Sequence, residues 1–131
     1  MTTMRLTVIG TGYVGLVSGA CFAKLGHHVT CVDIDHAKVE IINSGQSPIY
    51  EPGLEDILRT YANNLKATMD AETAIRNSDI TFICVGTPSQ KNGSIDLKYV
   101  QDTAAQIGKE VAAVSRKELE REDIPLNVPW E

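Results

Sequence analysis

The chain has 131 residues, 43% hydrophobic and 22% charged, enough for one globular domain with a buried core and too apolar for a disordered segment. Its net charge of −5 offers no basic field for nucleic acid or for an acidic membrane surface. It holds no run of 18 apolar residues, and MTTMRLTVIG leads directly into a strand, so we expect neither a transmembrane helix nor a signal peptide and a cytoplasmic location.

The first element is a short apolar strand containing Leu6, Val8 and Ile9. It runs into Gly10-Thr11-Gly12-Tyr13-Val14-Gly15 and then into an amphipathic segment, the order strand, glycine turn, helix. Each glycine has its own reason. Gly10 permits the tight turn, Gly12 lets backbone approach a pyrophosphate with no Cβ in the way, and Gly15 lets the helix lie close to the strand. The helix would then aim free N–H groups and its positive end at phosphates.

Such a turn gains weight from an acidic residue about 20 positions on, at the end of a second strand. Gly26 closes the first helix, His28–Val32 (HVTCV) reads as that strand, and Asp33 stands at its carboxyl end. There a carboxylate accepts both ribose hydroxyls of an adenosine. It also repels a 2′-phosphate, and no arginine follows to receive one, so NAD is expected over NADP. Asp35 is assigned the N-cap of the helix that follows.

Ala37–Asn43 places Val39, Ile41 and Ile42 on one side of a short helix ending at Asn43-Ser44-Gly45. Lys38 lies near the adenosine edge; spacing alone leaves open a ligand contact or a solvated charge. A loop with two prolines follows. Pro52 reads as the first residue of a helix whose apolar stripe is Leu54, Ile57, Leu58 and Tyr61. This insertion over 47–62 could reach across the strand ends or merely connect them.

Leu65–Met69 is a third strand, with Asp70 capping a helix over Ala71–Arg76. Ile80–Val85 (ITFICV) is a near-continuous apolar run of the kind buried on both faces. It opens into Gly86-Thr87-Pro88, where the Thr87 hydroxyl would face a dinucleotide or make a local turn bond. Gln90–Ser94 is a turn and Asp96 a cap. Leu97, Val100, Ala104, Ile107, Val111 and Val114 recur at three and four spacing and read as the core stripe of one long helix. SRKELERED then breaks the pattern, and IPLNVPWE, with two prolines, is expected to form no regular element of any length. Cys21, Cys31 and Cys84 fall inside these elements without CxxC spacing and read as reduced core residues; no metal site is expected.

The elements compose an α/β fold, a Rossmann-type doubly wound and mostly parallel sheet, incomplete at about four strands, in order 3-2-1-4 with helices on both faces. Residues 1–114 form this domain and 115–131 a charged, proline-containing tail. The fourth strand would be an open edge, inviting a partner chain or a second copy.

GTGYVGL at Gly10–Leu16, VDID at Val32–Asp35, SPIYEPGLEDIL at Ser47–Leu58, SDITFICVGTPS at Ser78–Ser89 and NGSIDLKYV at Asn92–Val100 resemble, together, the N-terminal domain of the UDP-glucose and GDP-mannose dehydrogenase family, nearest its UDP-glucose branch. The likeness covers residues 4 to about 114. It implies an NAD-dependent, two-step oxidation of a sugar-nucleotide C6 alcohol to a carboxylate, in a homo-oligomeric enzyme. It assigns Gly10, Gly12, Tyr13, Val14 and Gly15 to the pyrophosphate turn, Asp33 to the ribose, Lys38 to the adenosine side and Thr87 to the nicotinamide side, with Tyr13 also near the substrate cleft. The family's catalytic cysteine, lysine and aspartate lie beyond the long helix, in sequence that this chain does not match. No catalytic residue is transferred, and the chain is expected to be a truncated or reorganised member that binds without turnover. A stand-alone nucleotide-binding or interaction module and a GDP-mannose 6-dehydrogenase fragment are the alternatives.

Overall fold

The computed structural model of the protein describes residues 2–119. Its elements run β1 (Arg5–Ile9), α1 (Tyr13–Lys24), β2 (His28–Val32), α2 (His36–Asn43), α3 (Leu54–Thr60), β3 (Leu65–Thr68), α4 (Ala71–Arg76), β4 (Ile80–Ile83) and α5 (Lys98–Leu119). The strands form one parallel sheet in the order β3-β2-β1-β4, with Val8 opposite Cys31 on one side and Phe82 on the other. The expected strand order is therefore observed.

Alternation along β1 explains the two layers. Leu6 and Val8 point to a core shared with Leu16 and Ala20 of α1, Val39 and Ile42 of α2, and Leu54 and Leu58 of α3. Ile9 points to the opposite face and joins Val32, Ala74 and Ile75, with Ile107 of α5 packed against them. Thr7, on that same face and fully buried, donates its hydroxyl to the Ala74 carbonyl at 3.0 Å and ties α4 to the central strand. The helix starts at α2 and α4 follow from side-chain caps: Asp35 Oδ1 accepts from the Ala37 and Lys38 N–H groups, and Asp70 Oδ1 from the Thr73 N–H.

Four expectations change. Pro52 is not the first residue of α3. Leu54 N–H donates to the Glu51 carbonyl at 3.2 Å, and Gly53 has φ 83 and ψ −11, so Glu51–Leu54 is a type II turn with proline and glycine at its two central positions. The turn chemistry of Pro-Gly outweighs the helix-start preference of proline.

The β4 run is not buried on both faces. The strand ends at Ile83 and sits at the sheet edge, leaving Ile80 42% and Ile83 38% exposed. In α5 the packed row is Val100, Thr103, Ile107, Glu110 and Val114, while Ala104 and Val111 of the expected stripe are exposed and Leu97 precedes the helix. Glu110, 2% exposed, takes a place in this row by accepting from Arg76 Nε at 2.5 Å across to α4, and Arg76 also pairs with Glu72 at 3.1 Å. Cys21 is exposed on α1 and is no core residue, whereas Cys31 is buried and Cys84 half-buried.

Helix α5 continues to Leu119, taking in part of the charged segment; the reading of IPLNVPWE lies outside the described residues. Among the described residues no helix is long and apolar enough to cross a membrane.

Candidate cofactor site

The site forms where the chain leaves β1 between its two neighbours. Gly10 N–H donates to the Val32 carbonyl of β2 at 2.8 Å, and Cys84 N–H to the Ile9 carbonyl at 2.8 Å. The sheet order reverses here, with β2 on one side and β4 on the other, so the strand ends open a crevice. Gly10 has φ 102, and a Cβ on it would stand 2.3 Å from the Cys84 carbonyl oxygen. Both the backbone angle and the space admit only glycine.

Gly15 answers a different demand. Its Cβ would lie 1.9 Å from the Gly10 carbonyl oxygen, because the first turn of α1 rests directly on the glycine turn. At Gly12, by contrast, a Cβ would meet nothing within 4 Å; the space in front of it is open. Gly12 is the N-cap of α1 and gives it no side-chain cap, and the N–H groups of Tyr13, Val14 and Gly15 find no acceptor among the described residues. These donors, at the positive end of a 12-residue helix, face the space an anionic group would fill. The arrangement fits a pyrophosphate.

Asp33 ends β2 beside this turn. Its Oδ2 accepts both the Thr11 N–H at 3.0 Å and the Thr11 hydroxyl at 2.5 Å, and its Oδ1 accepts the Asp35 N–H at 2.9 Å. Partial burial pushes the carboxyl up. The Thr11 hydroxyl, the Asp35 and Thr11 N–H groups and the Lys38 charge together outweigh that and hold it below its ordinary value. A fixed, ionised carboxylate suits a neutral ribose hydroxyl and opposes a phosphate. Thr11 has no exposed surface and had not been singled out from the sequence, since it occupies a variable position of the glycine motif.

Lys38, half-buried in the first turn of α2, contributes to Asp33 through its charge. Tyr13 and Val14 are 55% and 72% exposed at the mouth of the crevice. The Tyr13 hydroxyl donates to the Tyr50 carbonyl at 3.1 Å, so the insertion reaches the strand ends and is no plain connection. Thr87 is exposed and makes no local turn bond: no hydrogen bond holds it among the described residues, which leaves its hydroxyl open, and the β4 end contributes Val85 and Gly86 to the cleft wall.

That cleft, about 720 Å³, runs from Gly10 and Asp33 across Ile34 and Met69 to Tyr99 and Gln106 of α5. Ile34, Met69 and Tyr99 present half or more of their surface, an apolar lining for a planar ring beside a carboxylate for its sugar. The α5 side was not read from the sequence, although Tyr99, Thr103 and Gln106 recur at helical spacing. A second groove, of about 560 Å³ between α4 and β3, touches neither the glycine turn nor Asp33.

Residues 4–116 match the family described as the UDP-glucose/GDP-mannose dehydrogenase family, NAD binding domain. UDP-glucose 6-dehydrogenase TuaD of Bacillus subtilis is 50% identical over 107 residues, covering 80% of this chain and 23% of that protein. GDP-mannose 6-dehydrogenase of Pseudomonas aeruginosa is 46% identical over 107 residues, 80% of this chain and 24% of that one. Among solved structures, a ternary complex of the Pseudomonas aeruginosa GDP-mannose dehydrogenase aligns with TM-score 0.80 at 44% identity, over 82% of this chain and 25% of that chain. A UDP-glucose dehydrogenase from the archaeon Pyrobaculum islandicum gives 0.82 at 41% identity, over 86% and 27%. The chain thus spans about a quarter of the length of these relatives.

Proposed function

Because the chain belongs to the UDP-glucose/GDP-mannose dehydrogenase family and carries its NAD-binding domain, we propose that it holds NAD for the oxidation of a sugar-nucleotide C6 alcohol to a carboxylate. The names of the relatives support the substrate class, and both UDP-glucose and GDP-mannose enzymes stand among them. When bound, NAD supplies the hydride acceptor, and the part of this chain is to bind and orient it.

Gly10 and Gly15 bring turn and helix together, and the N–H groups of Tyr13 and Val14 with the open side of Gly12 receive the pyrophosphate. Asp33 takes the adenosine ribose, Lys38 flanks it, and Thr87 serves the nicotinamide side. The observation that carries this reading is the pairing of an open Gly12 with a carboxylate already oriented at Asp33, at the end of the adjacent strand and hydrogen-bonded to Thr11. We also read the edge of β4, which no strand among the described residues covers, and exposed Val111 as surfaces for self-association, and the cytoplasm as the site of action.

Calorimetric titration of the purified chain with NAD and NADP, beside Asp33→Ala, tests the proposal. Expected is saturable NAD binding in the high-micromolar to millimolar range, about −4 to −6 kcal/mol for an open cleft, weaker for NADP and lost in the variant. A folded chain that binds neither nucleotide overturns it.

A further inference from the structure

A carboxylate has about four acceptor positions. At Asp33 three of them are filled from within the chain: both on Oδ2 by Thr11, and one on Oδ1 by the Asp35 N–H. One remains, on Oδ1. A ribose offers two hydroxyls, so the expectation that Asp33 accepts both does not fit this geometry. Thr11 is fully buried and bonds through backbone and side chain to one and the same oxygen, so the carboxylate cannot rotate to free Oδ2 without losing two hydrogen bonds.

We propose that Thr11 is a positioning residue: it pins Asp33 so that the carboxylate accepts a single ribose hydroxyl and stays aimed at the place a 2′-phosphate would occupy, which sets the preference for NAD over NADP. This inference rests on the NAD-binding reading above and adds to it the residue that enforces selectivity. The Thr11 N–H is present in both Thr11→Val and Thr11→Ser; the hydroxyl is lost only in the first. In Thr11→Val the Asp33 carboxylate keeps one bond to Oδ2 and gains freedom to swing away from a phosphate, while Thr11→Ser retains the donor.

Two arms of titration test it on the full chain. In the first, Thr11→Val weakens NAD about tenfold and NADP by less, so the NAD:NADP affinity ratio shrinks, and Thr11→Ser returns both affinities to within about twofold of wild type. An unchanged ratio in a folded Thr11→Val chain overturns the proposal. The second arm needs no variant and decides the matter should Thr11→Val fail to fold. Wild type is titrated with NAD analogues lacking the adenosine 2′- or the 3′-hydroxyl; one is expected to bind within about twofold of NAD and the other about tenfold more weakly. Equal affinity for the two analogues overturns the single-hydroxyl assignment while leaving NAD binding intact, and a folded wild-type chain that binds no NAD overturns the parent reading and this one with it.

Discussion

Gly12 and Gly15 sit three residues apart in one turn, yet the geometry predicts opposite outcomes for the same methyl group. In Gly15→Ala the new Cβ would stand 1.9 Å from the Gly10 carbonyl oxygen, 3.0 Å from its carbon and 3.1 Å from Cys84 Cβ. Two of these are backbone atoms of a turn held between β2 and β4, so α1 must retreat by about 1 Å. A gap of that size forfeits a quarter to a half of each contact behind it, and the contacts at stake are those of Leu16 and Ala20, which are fully buried. Against a gain of about 1 kcal/mol in helix propensity, the net loss is about 3 kcal/mol, or roughly 10 °C in Tm. In Gly12→Ala the methyl group meets nothing within 4 Å and the φ of −76 suits alanine, so stability changes by no more than about 1 kcal/mol. NAD affinity nevertheless falls at least about tenfold, because the methyl occupies the pyrophosphate space. Urea unfolding and calorimetric titration of both variants check this. A Gly15→Ala chain within 1 kcal/mol of wild type, or a Gly12→Ala chain that binds NAD normally, would refute the reasoning.

The Arg76–Glu110 pair should respond asymmetrically: Arg76→Ala strands a carboxylate only 2% exposed, whereas Glu110→Gln keeps an acceptor for a guanidinium that also has Glu72. Urea midpoints are therefore expected to fall further in Arg76→Ala, and equal or reversed losses would sink the account of how α5 is docked. Asp33, Asp70 and Asp79 are all held below the ordinary carboxylate range: Asp33 by the hydrogen bonds that outweigh its burial, Asp70 by the Thr73 hydroxyl and N–H, and Asp79 by the Arg5 N–H and guanidinium. Between their folded values and the unfolded value near about 4 the unfolded chain binds more protons, so their contribution is present in full above that pH and is lost as pH falls through the folded values; a midpoint that rises on acidification contradicts this. Burial first, then the charge of Cys84, pushes the Cys31 thiol up to about 12, while Cys21 is exposed. Alkylation of the native chain at pH 8 is expected at Cys21, with Cys31 reacting only in urea, and modification of both at one rate would count against the assigned burial.

What the sequence disclosed was set by short-range chemistry. His28–Val32, the Asp35 and Asp70 caps and Ala71–Arg76 were legible because a helix start is decided by one side chain and two or three N–H groups, and a central strand by its own alternation. The order 3-2-1-4 followed from the glycine turn, since a chain that crosses over to one side of β1 and later returns on the other must reverse there. Pro52 misled because proline suits both a first helical position and the second position of a turn, and only Gly53 at φ 83 separates them.

The rest was illegible because it depends on partners far along the chain. Nothing near Glu110 announces that Arg76, 34 residues earlier, will draw it inward and expose Val111 in its place. Thr11 is the sharper instance. A glycine motif specifies its glycines and leaves the residues between them open, because at those positions the backbone alone makes the turn. Yet a hydroxyl placed at the first open position, 22 residues before the carboxylate it binds, fills two of that carboxylate's acceptor positions together with its own N–H. Selectivity between two cofactors that differ by one phosphate is then a matter of whether the carboxylate can turn aside, and that freedom is governed by Thr11 as much as by the charge of Asp33 itself.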